Sequence, residues 1–144
     1  AMGTSVERSS AEGHFYKRGA SFNIPGREVD GMDVEAVYAA GQEAVAWCRA
    51  GKGPIILELK TYRYRGHSMS DPAKYRTREE VQAVREKRDP IEHLAAKLIA
   101  EKIVTEDDLK AMDKETRQIV NTASEYATQS PEPAPEELYT DVLA

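Results

Sequence analysis

The segment Pro54-Ile-Ile-Leu-Glu-Leu-Lys-Thr-Tyr62 constrains the fold more than any other stretch of the chain. It is short, rich in branched side chains and apolar on both faces at its start, the pattern of a strand buried in a parallel sheet. A helix precedes it. Asp33 stands where a cap belongs, and Val37, Ala40, Gly41, Ala44 and Cys48 recur at helical spacing with Trp47 beside the stripe. Gly51 ends that helix, and Pro54 forbids its continuation. Further back, Arg27-Glu28-Val29 reads as a short strand closing at the turn pair Asp30-Gly31. Strand, helix, strand in this order predicts an α/β fold with parallel strands and flanking helices.

The remaining segments divide by period. The first thirty residues show none and read as loop, with one short helix around His14 to Lys17. The opening Ala-Met-Gly-Thr-Ser-Val reads as a cut through a domain. From Arg63 to Arg76 the chain is polar and aperiodic, which predicts a long loop, and long loops in compact domains are often functional. Thr77-Arg-Glu-Glu80 is a capping box for a helix that stops before Pro90. Ile91, Leu94, Ala95 and Leu98 give the next helix an apolar face. Thr105-Glu-Asp-Asp108 opens a third, along which Leu109, Met112, Thr116, Ile119, Val120, Ala123 and Tyr126 repeat at helical spacing. These stripes are expected to be core. Ser130-Pro-Glu-Pro-Ala-Pro135 is a stiff linker, and the tail after it carries Leu138, Tyr139, Val142 and Leu143, which want a partner surface.

Charge and composition remove several classes. With 20 basic and 25 acidic residues the net charge is −5, against a nucleic-acid binder. No apolar run approaches the ~20 residues of a membrane span, and no signal-peptide core opens the chain, so an intracellular protein is expected. The single cysteine, Cys48, reads as a small buried thiol. His14, His67 and His93 have no paired spacing, so no metal site is expected here. Neither a phosphate-binding glycine loop nor a nucleophile elbow occurs.

One basic cluster stands out. Lys60, Arg63, Arg65, His67, Arg76 and Arg78 fall together with Asp71 as the only acid among them. The loop follows the carboxyl end of a parallel strand, where open α/β sheets hold their ligands. Arginine offers planar donors to phosphate oxygens, and an adjacent histidine can donate to the same group or move a proton. From chemistry alone this is either an anion site or a solvated basic loop.

Several strings resemble one family in its own order: Met2-Gly-Thr-Ser-Val-Glu-Arg8, Tyr16-Lys-Arg-Gly19, Val29-Asp-Gly-Met-Asp33, Cys48-Arg-Ala-Gly-Lys-Gly-Pro54, Glu58-Leu-Lys-Thr-Tyr-Arg-Tyr-Arg-Gly-His-Ser-Met-Ser-Asp-Pro72 and Tyr75-Arg-Thr-Arg-Glu-Glu80. They are similar to the alpha subunits of pyruvate dehydrogenases, in the thiamine-diphosphate-dependent 2-oxo acid dehydrogenase family. The resemblance runs nearly to Glu137. It implies that residues 1–89 finish a thiamine-diphosphate-binding domain and include a cofactor loop at 61–76, that 90–129 are a helical extension, and that 130–144 are a linker and subunit-contact tail.

The resemblance also implies an α2β2 enzyme with a beta subunit, decarboxylating pyruvate on thiamine diphosphate and acetylating a lipoyl domain of an acetyltransferase component. His67 is implied to be catalytic and to contact the cofactor diphosphate, with Arg63 and Ser68 beside it. Magnesium and its ligands are expected from a Gly-Asp-Gly segment and a later asparagine that would precede Ala1, so this chain alone is expected to be inactive. Ser5 and Ser68 match serines phosphorylated in eukaryotic relatives. A third regulated serine is replaced by Lys74 in a loop one residue shorter, which favours a bacterial, cytoplasmic origin over a mitochondrial matrix. Two other readings remain: a branched-chain 2-oxo acid or acetoin dehydrogenase, whose branched-chain members carry Thr and Asp where Met69 and Pro72 stand, and a non-catalytic helical interaction module.

Overall fold

A computed structural model describes residues 4–142. The opening residues Ala1 to Gly3, expected to be a cut through a domain, and Leu143 of the expected contact tail lie outside the described residues. The chain separates into two compact units, Ala1–Lys97 and Leu98–Ala144.

The first unit is built on a strand-helix-strand turn. Strand β1 (Gly26–Asp30) pairs in parallel with β2 (Ile56–Lys60), with Gly26 opposite Ile56 and Asp30 opposite Lys60. This is the α/β arrangement the sequence predicts, in the form of a two-stranded parallel sheet. Two helices share the first unit's opening and crossover: α1 (Val6–Ser9), a single turn where loop is expected, and α2 (Val34–Arg49), which joins the strands. The Asp33 carboxylate accepts from the backbone N–H groups of Glu35 and Ala36, satisfying two of the donors that a helix start leaves free. At the other end Gly51 sits at φ 72°, and the backbone N–H groups of Gly51 and Lys52 return to the carbonyls of Cys48 and Trp47. That left-handed closure is why a glycine stands there.

Ala40, 1% exposed, is the most buried side chain of α2, and Val29 and Met32 are the other buried apolar side chains among the described residues. Cys48 is exposed, contrary to the buried thiol expected. The half-buried face of α2 runs through Ala36, Val37, Ala40, Gly41, Ala44 and Trp47, so the last turn presents Trp47 inward and Cys48 falls one position beyond the face. The expected turn near His14 is a 3₁₀ helix over Phe15–Phe22, and it packs on both strands. A Cβ on buried Gly19 would come within 2.5 Å of the Ile24 carbonyl oxygen.

Glu58 faces this segment from within β2. Its carboxylate takes Lys60 Nζ at 2.7 Å and the Tyr16 backbone N–H at 2.9 Å. Lys60 holds its pKa below the usual carboxylate range. A charged residue inside an apolar strand is thus satisfied by its neighbours.

After β2 come α3 (Arg78–Arg88) and α4 (Pro90–Ala100). Thr77 caps α3 by accepting from the Glu80 N–H, but only half of the expected box forms, because the Glu80 carboxylate accepts from the Tyr62 hydroxyl at 2.8 Å instead. Asp89 adopts ψ 117°, extended as its following proline demands. Arg88 Nη2 reaches both oxygens of Asp30 at 2.8 and 2.7 Å, tying the end of α3 to the end of β1. Both partners are half-exposed, so the pair contributes position more than stability.

In the second unit, α5 (Glu106–Gln129) opens with a complete capping box between Thr105 and Asp108. The stripe expected to be core is not buried. Leu109 is half-buried, whereas Met112, Ile119, Val120 and Tyr126 are exposed. The period correctly predicts the helix, but burial needs a neighbouring surface, which period alone does not supply. A 3₁₀ turn over Pro135–Tyr139 follows, with Leu138, Tyr139 and Val142 exposed. Among the described residues, no helix is long and apolar enough to cross a membrane.

Gly31 sets a steric constraint where the carboxyl ends of the two strands meet. Its N–H donates to the Lys60 carbonyl at 2.8 Å, and a Cβ there would lie 2.9 Å from that oxygen and 2.6 Å from Thr61 Cγ2. Gly31→Ala is therefore expected to destabilise the fold by about 1–3 kcal/mol, read as a lowered midpoint in urea unfolding.

Candidate functional site

The loop between β2 and α3 leaves the carboxyl end of one strand, and the helix after it returns to the carboxyl end of the other through Arg88 and Asp30. Its frame is organised by one carboxylate. Asp71 Oδ2 accepts from the His67 backbone N–H at 2.7 Å and from the Tyr75 hydroxyl at 2.6 Å, while Oδ1 accepts from the Ala73 N–H at 2.9 Å. The Tyr75 hydroxyl, followed by the two backbone N–H groups, holds the Asp71 pKa down to about 2. A carboxylate with three donors is stabilised in its charged form. Gly66 lies against this knot, where a Cβ would stand 2.8 Å from the Asp71 carbonyl oxygen. Ala73 takes a left-handed φ of 50°.

Aromatic and cationic groups brace the loop from outside. The Arg76 guanidinium lies over the rings of Tyr62 and Tyr75, at 5.1 and 5.0 Å from their centroids, and donates to the Arg65 carbonyl at 3.1 Å. The Tyr64 hydroxyl reaches Asp89 Oδ2 at 3.0 Å, with Arg85 over its ring at 4.9 Å. Burial, followed by the bonds to Glu80 and Asp89, raises the pKa values of Tyr62 and Tyr64.

The three residues singled out in the sequence are all exposed on this loop. His67 is held only through its backbone, and the side chains of Arg63 and His67 make no hydrogen bond or ion pair among the described residues. The Ser68 and Ser70 hydroxyls are 3.0 Å apart, and the Ser68 carbonyl accepts from the Asp71 N–H at 3.1 Å. Two cationic or ionisable groups are thus left available by a loop whose backbone is committed elsewhere, an arrangement suited to an anion with several oxygens. Among the described residues, no group of three or more His, Cys, Asp or Glu side chains could hold a metal.

Sequence reasoning places Asp71 and Arg76 in the basic cluster and Asp89 before Pro90, but assigns none of them its contacts in the loop frame. A signal was present for the first, since Asp before Pro in an aperiodic segment favours side-chain capping of nearby backbone N–H groups. Nothing in the spacing of Tyr64 and Asp89 announces their contact.

The model of the family described as Dehydrogenase E1 component matches residues 1–136, and the chain belongs to that family. It is 62% identical over 99% of its length to the pyruvate dehydrogenase E1 component subunit alpha of Rhizobium meliloti, covering 41% of that protein. It is 54% identical over 99% of its length to the subunit of the same name from Zymomonas mobilis, covering 40% of it. Against the human somatic mitochondrial form the identity is 52% over 95% of the chain and 35% of the relative. The chain thus spans about two fifths of the length of the curated relatives it matches.

The knot at Asp71 is open to a direct test. Its carboxyl should titrate near pH 2, below the ordinary 3.8. The loop stability it contributes is then fully present above pH 3.8 and lost as the pH falls through about 2. Carboxyl carbon chemical shifts followed by NMR would show this, and Asp71→Asn should speed tryptic cleavage at Arg65 and Lys74.

Proposed function

We propose that this chain contributes part of the alpha subunit of a pyruvate dehydrogenase, with the loop at 61–76 supplying diphosphate donors to a thiamine-diphosphate-binding fold. The observation that carries the reading is the pairing of a fixed loop backbone with uncommitted Arg63 and His67 side chains at a parallel strand's carboxyl end. The relatives named above are pyruvate dehydrogenase alpha subunits, which favours pyruvate over branched-chain 2-oxo acids or acetoin. Membership of the family leaves a non-catalytic helical module without support.

In this reading, Arg63 presents planar donors to the diphosphate and His67 donates a hydrogen bond to the same group or moves a proton beside it. Ser68 can add its hydroxyl, whose other contact is Ser70. The exposed donor set suits the diphosphate, whereas the described residues do not suit a magnesium ion, and no step is assigned to one. Thiamine diphosphate supplies the carbanion stabilisation that 2-oxo acid decarboxylation needs. The residues of this chain bind and orient it, with acetyl transfer to a lipoyl domain following.

The reading includes a beta subunit in an α2β2 assembly, and a bacterial cytoplasm in preference to a mitochondrial matrix. It also holds that this chain alone turns over no pyruvate. Phosphate on Ser68 would set negative charge beside the cofactor's own and would oppose binding.

Charge-assisted donors of this kind contribute about 1.5–3 kcal/mol each. In the assembled enzyme His67→Ala is therefore expected to weaken thiamine diphosphate binding by about 10- to 100-fold, measured by calorimetric titration. An unchanged affinity would remove His67 from the site.

A further inference from the structure

Tyr64 lies between the two proposed donors, one residue after Arg63 and three before His67. Its hydroxyl donates to Asp89 Oδ2 at 3.0 Å in a part-buried bond that spans from the loop to the corner between α3 and α4. The other oxygen of that carboxylate is occupied separately. Asp89 Oδ1 accepts from the backbone N–H groups of Ile91 at 3.0 Å and Glu92 at 3.3 Å, the free donors at the start of α4. The carboxylate is therefore fixed by the helix it caps, and its second oxygen is aimed at the loop. Arg85, one turn earlier on α3, covers the Tyr64 ring at 4.9 Å. The neighbouring Arg88 anchors the end of α3 to Asp30 of β1. A continuous run of rigid parts thus leads from the sheet, through α3 and Asp89, to the middle of the donor segment.

We propose that Tyr64 is a positioning residue for the diphosphate donors, its bond to Asp89 latching the Arg63–His67 segment before the cofactor arrives. The inference rests on the reading of this loop as a thiamine diphosphate site. Tyr64 and Asp89 are committed to protein partners and are not counted among the diphosphate donors. The latch restricts the segment's freedom, so that less ordering has to accompany binding. Removing the hydroxyl leaves every diphosphate donor in place but populates open forms of the loop, and apparent affinity falls by the fraction of closed loop lost.

The test uses the full-length alpha subunit assembled with its partner subunit. Tyr64→Phe is expected to raise the KM for thiamine diphosphate about tenfold, the scale of one hydrogen bond to a charged group, while kcat at saturating cofactor stays within about twofold. Trypsin should cut the cofactor-free variant after Arg63 and Arg65 faster than the wild type, and saturating thiamine diphosphate should restore protection. Arg85→Gln withdraws the cation from the ring face and should raise the same KM a fewfold; it decides the matter should the tyrosine variant not assemble. A wild-type KM and wild-type cleavage rate in the variant would overturn the latch. So would a loss of kcat that cofactor cannot correct. If thiamine diphosphate does not protect even the wild-type loop, the cofactor-site reading itself fails, an outcome distinct from protection that Tyr64→Phe leaves untouched.

Discussion

The parallel pairing of β1 with β2 is the constraint on which the first unit depends. Parallel strands place their carboxyl ends on the same side, and here that brings Asp30, Gly31, Lys60 and Thr61 into one small area. A long crossover between the strands is obligatory, because a parallel pair cannot be closed by a hairpin, and α2 supplies it. The loop can therefore start at one strand end and be braced at the other. With only Val29, Met32 and Ala40 buried among the apolar side chains of the described residues, the ladder and its crossover hold the geometry on a small core.

The loop is a separate kind of order. It has no regular secondary structure, yet its backbone is held by a carboxylate with three donors and by an arginine lying over two tyrosines. Spending Asp71, Tyr75 and Arg76 on the frame is what frees Arg63 and His67. Local charge is divided between the scaffold and the groups left uncommitted, so a count of basic residues overstates how many could bind an anion. Arg76 is committed to Tyr62, Tyr75 and the Arg65 carbonyl; Arg63 is not committed to any partner among the described residues.

Much of this was legible from side-chain type and spacing. The strand over Ile56–Lys60, the cap at Asp33, the glycine stop at Gly51 and the start of α5 at Thr105 follow from local rules, because each depends on residues within a turn or two of one another. The family resemblance was legible as well, since the strings that carry it are long and ordered. Cys48 was misplaced because a helical stripe drifts, and a step of three to Trp47 replaced a step of four. The Thr77 box was half wrong because Glu80 had a better donor in Tyr62, eighteen residues away. Long-range polar pairs such as Tyr64 with Asp89 leave no periodic trace, and the outward face of α5 was hidden because period reports amphipathicity without saying what covers it.

The exposure of α5 has a consequence for how that helix behaves. A segment of 24 residues with no side chain buried by the described residues depends, as far as they go, on local terms. The Thr105–Asp108 box supplies the start, and the Lys110–Asp107 and Arg117–Asp113 pairs lie within the first half. No comparable device stands in the last turns, where only hydroxyls bonded to carbonyls one turn back close the end. Such a helix unzips from its carboxyl end. Amide exchange along it would rise as a gradient from Thr105 toward Ser130 rather than change as a single cooperative block.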